Sequence, residues 1–266
     1  MKAMPWGVGL GVAMLAAAGT AHGTIVITEI FYNLAGTEGS TNEWIEIANI
    51  GPAAVDLSGW RFIDIADNQI SGPFPTGTVL ASGGVAVITQ QPAATFQSIW
   101  GSGIQVINVT SFPSLANTPT TYTGTVPAQP FPYTGFASLF SPALTTGQEA
   151  LAIVSADDQV TDLVIYDVVA PWPTGANGFS IYALPAALAN PFTVTAANDL
   201  GASWGRSAIG VDGAYEALIV NPDITNTTLK DVASPGVVAG LVVIPEPSAL
   251  GVVGVAGLAL MRRRRA

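Results

Sequence analysis

The feature that most constrains the fold is a series of short apolar runs, each ended by glycine, proline, asparagine or serine. Short runs rich in Ile, Val, Phe, Trp and Thr are typical of β-strands, and frequent turn residues leave little room for long helices. The pattern predicts strands at 24–31, 43–49, 59–65, 84–89, 150–155 and 161–166. Helical periodicity is absent outside the termini, except for one turn at 93–100. The spacing predicts an all-β chain folded as an antiparallel β-sandwich.

Charge is scarce in this chain and mostly negative. Only 10% of the 266 residues are charged, and between Thr24 and Ile244 there are three basic residues against 17 acidic ones. Nucleic acids are bound through several Lys or Arg contacts to phosphates, so this composition argues against them as partners. The chain has no cysteine, and its single histidine is His22. Disulfides and thiolate chemistry are therefore excluded, and a zinc site of the usual kind is not expected.

The first residues have the organisation of a secretory signal peptide. Lys2 supplies a positive charge, an apolar stretch follows over 8–18, and Ala21-His22-Gly23 fits the small-x-small cleavage rule. We therefore expect a signal helix over 1–23 and export through the secretion translocon. The mature chain would start near Thr24.

The last residues combine a Pro245-Glu246-Pro247 triplet, an apolar segment over 249–261 and four arginines, Arg262, Arg263, Arg264 and Arg265. The 13 apolar residues make a helix about 20 Å long, shorter than the ~30 Å hydrocarbon core of a bilayer. Arginines stay cytoplasmic, which leaves the body of the protein outside. The region 241–266 resembles the PEP-CTERM sorting signal of Gram-negative bacteria. The resemblance implies a hydrophobic helix that enters the membrane transiently and an exosortase that processes the chain at the triplet.

A second resemblance covers the body of the chain. Its most specific part is Glu43-Trp44-Ile45-Glu46, followed by Asn49 and by the run from Val55 to Trp60. This part lies within a longer matching stretch over 27–64, and further matching stretches lie at 77–89, 145–167, 172–173, 198–207 and 233–236. Together they are similar to the lamin tail domain, a family with an immunoglobulin-like fold. The resemblance implies one such sandwich over 24–240, with a proline-rich insertion near 111–147.

The residues of this motif also have a structural interpretation. We expect Asp56 and Ser58 to hold a tight turn through side-chain hydrogen bonds, with Gly59 supplying an unusual backbone conformation. The apolar residues of the motif are expected in the core: Trp44, Leu57 and Trp60.

Gly201-Ala202-Ser203-Trp204-Gly205 matches the G-x-S-x-G pattern of hydrolases. That nucleophile elbow needs a strand, a sharp turn, a helix and a later histidine. No histidine follows in this chain, so we interpret the match as chance.

Acidic residues near predicted turns are the candidates for a metal site. Glu38 and Glu43 flank one loop, Asp64 and Asp67 flank another, and a hairpin turn is surrounded by Asp157, Asp158 and Asp162. Calcium binds oxygen ligands on loops, although no stretch here has EF-hand spacing. The alternative is that all of these acids are solvated turn residues. No other cofactor is expected.

Three aromatic residues lie in loop-like sequence next to prolines: Trp100, Tyr133 and Trp172. Each ring could be exposed for stacking on a sugar or on a partner protein, or could fasten its loop to the sandwich.

Three functions are compatible with these features. The first is a non-catalytic surface or matrix protein of a Gram-negative cell envelope, with exopolysaccharide or surface proteins as partners. The second is a calcium-dependent or carbohydrate-binding adhesion module. The third is a carboxylate-based hydrolase, the least favoured because no catalytic pair can be identified from the sequence.

Overall fold

The computed structural model describes residues 25–36, 42–65, 69–113, 115, 148–167, 169–173, 177–225 and 228–245. The expected signal helix, most of the proline-rich insertion and the sorting signal beyond Pro245 lie outside these described residues.

The described chain contains fourteen strands and three short helices. The strands are β1 (Ile25–Phe31), β2 (Trp44–Asn49), β3 (Val55–Asp56), β4 (Arg61–Asp64), β5 (Gln69–Ile70), β6 (Val79–Leu80), β7 (Val85–Thr89), β8 (Val106–Asn108), β9 (Gln148–Val154), β10 (Val160–Asp167), β11 (Ile181–Ala183), β12 (Trp204–Arg206), β13 (Tyr215–Glu216) and β14 (Val232–Ala233). The helices are α1 (Ala93–Trp100), α2 (Pro185–Leu188) and α3 (Val194–Ala197).

All six predicted strands are present, as β1, β2, β4, β7, β9 and β10, and their described ends differ from the predicted ones by at most two residues. The predicted turn at 93–100 is the eight-residue helix α1. The strands that the sequence did not predict are two or three residues long, too short to show a period of two.

Two sheets form the sandwich. One has six strands in the order β12-β11-β1-β2-β7-β8, and the other has four in the order β10-β9-β4-β5. Strand pairs within them are antiparallel, except that β7 and β8 are parallel. The main apolar core lies between the sheets and includes side chains from β1, β2, β4, β9 and β10. The predicted all-β antiparallel sandwich is confirmed.

The six-stranded sheet is covered on its second face as well. Trp44 and Phe31 point away from the main core, and their rings lie 5.3 Å apart. Helix α1 packs over them through Phe96 and Trp100, whose ring centroids lie 5.8 and 6.0 Å from Trp44. As a result β1 and β2 are buried along their whole length.

The turn between β3 and β4 forms as the sequence predicts. The Ser58 amide donates a 2.9 Å hydrogen bond to Asp56 Oδ1, and the Gly77 amide donates one of 2.8 Å to Ser58 Oγ. Gly59 has a φ of +77°, a conformation that favours glycine. Trp44 and Leu57 are fully buried, and Trp60 is partly buried against the main core.

Strand register defines two ends of the sandwich. Ile25 of β1 pairs with Asn49 of β2 at one end, which we call the Asn49 end. Phe31 pairs with Trp44 at the other, the Trp44 end. Within the described part of the chain, no helix is both long enough and apolar enough to span a membrane.

Candidate functional site

Seven acidic residues are buried in the described part of the chain: Glu29, Glu43, Glu46, Asp64, Glu149, Asp162 and Asp231. Burial of a carboxylate is costly unless hydrogen bonds or opposite charges compensate. The ion pair found among the described residues joins Lys230 to Glu216 at 3.9 Å, and it lies at the surface. The arrangement of the buried acids is therefore the candidate functional feature of this fold.

Glu29 and Glu46 form the first arrangement, which we call the carboxylate clamp. They are register partners on β1 and β2, and a β-bulge between Ile27 and Glu29 precedes the pair. Both lie on the sheet face that also carries Phe31 and Trp44, because strand residues two apart share a face. Each is only 1% exposed.

The clamp holds a segment from the far end of the sequence. Glu29 Oε1 accepts a 2.9 Å hydrogen bond from the Ser234 amide, and Oε2 accepts one of 2.9 Å from Ser234 Oγ. Glu46 Oε2 accepts a 2.6 Å hydrogen bond from the Gly236 amide, and Oε1 accepts one of 2.9 Å from Thr28 Oγ1. Ser180 Oγ also donates to Glu29. The clamp therefore fastens residues 234–236 across the first two strands.

Burial makes the clamp easier to protonate. It raises the pKa of Glu29 from 4.5 to about 7, and the hydrogen bonds from Ser180 and Ser234 only partly oppose this. The pKa of Glu46 is raised well above its usual value by burial and by the neighbouring charge of Glu29. Glu29 therefore binds a proton near neutral pH, where exposed glutamates are ionised, and the pKa of Glu46 is shifted in the same direction.

Asp162 connects the two sheets. Its Oδ2 accepts hydrogen bonds of 2.7 Å from the Ile27 amide and 2.8 Å from Asn198 Nδ2. Its Oδ1 and the Oδ1 of Asn198 are buried acceptors without a hydrogen-bond donor. Burial raises the pKa of Asp162 from 3.8 to about 7. A proton on Asp162 would supply a donor where the ionised side chain offers only acceptors.

A second cluster of acids lies near the Trp44 end. Burial raises the pKa of Tyr166 well above its usual value, and the charges of Glu149, Asp64 and Glu43 raise it further. Tyr32 stacks on Tyr166 with ring centroids 5.3 Å apart. Glu43 Oε2 also accepts a 2.7 Å hydrogen bond from the Leu115 amide.

Glu43 and Asp64, which the sequence places beside two separate loops, are both buried and are not solvated turn residues. They are 4% and 0% exposed. Glu43 directly precedes β2, and Asp64 is the last residue of β4, so the strands carry both carboxylates into the interior. The structure brings together, around Tyr166, two acids that the sequence placed beside separate loops.

The other metal candidates do not join them. Asp157 and Asp158 are exposed in the turn between β9 and β10, where the Asp158 amide donates a 3.0 Å hydrogen bond to Ser155 O. Glu38 and Asp67 lie outside the described residues. Among the residues that the structure places, no group of three or more His, Cys, Asp or Glu side chains is arranged to hold a metal ion.

The exposed-aromatic hypothesis is wrong for Trp100 and Trp172. Trp100 is 4% exposed because α1 lies flat on the six-stranded sheet, and its carbonyl accepts a 2.6 Å hydrogen bond from Tyr215 Oη. Trp172 is 7% exposed and packs with its ring centroid 5.6 Å from that of Trp204. Both rings fasten loops to the sandwich. Tyr133 lies outside the described residues.

The G-x-S-x-G match has the opposite local order to a nucleophile elbow. Gly201–Ser203 is a single 3-10 turn, and the strand β12 follows it instead of preceding it. The Ser203 carbonyl accepts a 2.8 Å hydrogen bond from the Leu184 amide. This geometry agrees with interpreting the match as chance.

The described structure ends within the candidate sorting signal, at the first residue of the triplet. The Ile244 amide donates a 2.8 Å hydrogen bond to Ile50 O at the Asn49 end, and Pro245 is exposed. Glu246, Pro247, Arg262, Arg263, Arg264 and Arg265 lie outside the described residues.

Sequence reasoning missed the clamp. The available signal was an acid within each of two strongly apolar strands, in ITEIF and WIEIA. Antiparallel sheets often have one face in solvent, where acids are common, so these two residues do not by themselves indicate burial.

The comparison with protein families bears on the same strands. A family model described as Lamin Tail Domain matches residues 18–167, more than half of the chain. This chain belongs to the lamin tail domain family. The match includes β1 to β10 and therefore both acids of the clamp. The hydrogen-bond partners of those acids in 180–236 lie beyond the matched residues. That region belongs to the same sheet, because β11 pairs with β1.

One solved structure adds a remote comparison. This lamin tail domain chain is similar to a DUF4876 family protein from Bacteroides thetaiotaomicron VPI-5482, at 14% identity and a TM-score of 0.35. The match covers 61% of this chain and 62% of that one, less than two thirds of its length. None of the curated proteins matches the chain in sequence.

Proposed function

We propose that this lamin tail domain protein is a non-catalytic exported protein of the surface or matrix of a Gram-negative bacterium. It acts as an interaction or structural module and is delivered by exosortase-dependent sorting. The leader over 1–23 and the three-part signal over 241–266 support export and sorting.

The observation that carries the proposal is the position of the triplet relative to the fold. Ile244 is hydrogen-bonded to Ile50, and Pro245 follows directly. All described strands and both partners of the clamp in 234–236 precede the triplet. Cleavage at 245–247 would leave this β-structure in the mature protein.

The use of the buried acids supports a structural role over a hydrolytic one. Glu29 and Glu46 are 1% exposed, and their carboxylate oxygens accept hydrogen bonds from protein groups. A hydrolytic carboxylate pair must instead border a cleft that admits the sugar chain.

Exposed apolar side chains support an interaction role. Ile209 and Val211 are 65% and 47% exposed in the turn 209–214. Val237, 45% exposed, lies against Gly213 of the same turn. Adjoining apolar groups at a surface are typical of sites that bind other proteins.

Fractionation of producing cells tests the proposal. The protein should be found in the outer envelope or the extracellular matrix, and replacement of Pro245, Glu246 and Pro247 by alanine should retain it in the cytoplasmic membrane. A matched control replaces Pro222 and Asp223, an exposed proline and an exposed acid that lie outside the signal, by alanine. Normal distribution of the triplet variant would contradict sorting by this signal.

A second measurement addresses the partner. Protein purified from the matrix should show a higher thermal midpoint with a bound ligand, because a ligand of the native state stabilises it. Calcium and the producer's own exopolysaccharide are the ligands to compare. A hydrolytic function would instead release soluble sugar products, and such products would contradict the non-catalytic assignment.

A further inference from the structure

Both ends of the described chain leave the sandwich at the Asn49 end. Ile25 is the register partner of Asn49, and the Ile244 amide is hydrogen-bonded to Ile50 O at 2.8 Å. Val243 lies against the turn at Gly83, which precedes β7. The expected leader and the expected sorting segment therefore start from the same end of the body.

Asn49 joins the turns at this end into one surface. Its Nδ2 donates hydrogen bonds of 2.8 Å to Ala53 O, 3.0 Å to Leu80 O and 3.1 Å to Ala81 O. Ser82 Oγ donates one of 2.7 Å to Gly51 O. A group of exposed, uncharged residues surrounds this centre, and we call it the exit surface: Ala53, Ala54, Ala81, Ser82, Val242 and Pro245.

The length of chain after Pro245 limits how far this surface can be from a membrane. An extended chain from Pro245 to Ala249, where the apolar segment starts, spans at most about 14 Å. The headgroup region is about 5 to 8 Å thick on each side of a bilayer. The helix expected over 249–261 is about 20 Å long, which is shorter than the hydrocarbon core of about 30 Å. Such a mismatch draws the residues that flank the helix towards the interface. Val242 and Pro245 are exposed and uncharged, so their transfer into the headgroup region requires little free energy.

We propose that the exit surface faces the lipid headgroups while the sorting segment is in the membrane, with the Trp44 end pointing away. This orientation rests on the proposed sorting function. The partner is a phospholipid surface, and the contact lasts until the chain is processed.

Charge sets the tilt of the body. Asp56, Asp157 and Asp158 are also exposed near the Asn49 end, since Ala156 lies against Gly59 in the turn before β4. Anionic lipids repel these carboxylates. The turns around Asn49 should therefore lie closer to the lipid than the turn between β9 and β10.

The absence of cysteine makes the orientation measurable with single-cysteine labels. The chain 24–266 is reconstituted into vesicles of phosphatidylethanolamine and phosphatidylglycerol that contain a nitroxide headgroup quencher. A fluorophore is placed at Ser82→Cys on the exit surface, at Ala156→Cys in the acidic turn, or at Ala94→Cys in α1, all exposed positions. Ala94 follows the end of β7 that pairs with Trp44, so it reports on the far end.

Ser82→Cys should lose most of its emission, Ala156→Cys less, and Ala94→Cys almost none. Equal quenching at Ser82→Cys and Ala94→Cys in vesicle-bound protein would overturn the orientation alone. Failure of the chain to float with the vesicles would contradict the membrane segment, and with it the proposed sorting function as well as the orientation.

Discussion

The clearest prediction concerns Glu29, whose burial makes the fold more stable in mild acid than in mild base. A carboxyl with a higher pKa in the folded chain than in the unfolded chain binds its proton more tightly when folded. Its stabilising contribution is complete below about pH 4.5 and is lost as the pH rises through about 7. Most small proteins lose stability on acidification, so the sign is diagnostic.

The size of the effect follows from the shift. Raising the pKa of Glu29 from 4.5 to about 7 changes the free energy of unfolding by about 2 to 3 kcal/mol between pH 8 and pH 5. For a domain of this size that is a change of about 5 to 10 °C in the thermal midpoint. Glu46 acts in the same direction, because its pKa is raised as well.

Glu29→Gln isolates this contribution. The glutamine carbonyl can still accept from the Ser234 amide, and its Nε2 can donate to Ser234 Oγ, so the clamp keeps its contacts without a charge. We expect the variant to be about 2 to 3 kcal/mol more stable than the parent at pH 8 and similar to it at pH 5. The assay is thermal and urea unfolding from pH 5 to 8. The matched control is Glu216→Gln, the same substitution at a partly exposed glutamate.

Two results would refute the reasoning. One is a parent protein whose stability is constant or falls as the pH decreases from 8 to 5. The other is a Glu29→Gln variant with the same pH dependence as the parent and the Glu216→Gln control.

Three further substitutions test other parts of the structure. Asp162→Asn should raise the free energy of unfolding at pH 8 by about 2 to 3 kcal/mol and make it less dependent on pH, because the pKa of Asp162 is raised to about 7. An unchanged pH dependence in urea unfolding would contradict burial of the Asp162 charge. Ser234→Ala should destabilise the fold by about 1 to 2 kcal/mol, and more at pH 8 than at pH 5, because the lost Oγ donor stabilises ionised Glu29. An equal loss of stability at both pH values would argue against the clamp. Gly201→Ala should lower the free energy of unfolding by about 1 to 3 kcal/mol, because the new Cβ would lie 2.8 Å from the backbone nitrogen of Trp172. The control Gly103→Ala has open space around the new Cβ and should change stability little in the same denaturation assay.

The sequence predicted the elements that are determined by residues close to one another in the chain. The turn at Asp56–Gly59 has its hydrogen-bonding side chains and its glycine within four residues, and the structure forms it as expected. The six longer strands have enough residues to show a composition, whereas β11 and β12 have three each and owe their position to β1.

The candidate site was not predicted, because it depends on contacts that sequence spacing does not contain. Trp44 was assigned to the core, and Glu46 shares its strand face, but burial of Glu46 was not predicted. The carboxylate of Glu46 is covered by the segment that contains Ser234 and Gly236, about 190 residues further along the chain. The acids singled out in the sequence were those next to turns, and Glu43 and Asp64 proved to end inside the sandwich.

The central claim is that this lamin tail domain is released from its sorting signal and works outside the cell. The measurement that tests it most directly is the intact mass of the protein purified from the producer's envelope and matrix. We predict a mature chain that begins near Thr24 and ends at the 245–247 triplet, without the apolar segment and the arginines. A mature protein that mostly retains Arg262 to Arg265 would contradict the claim.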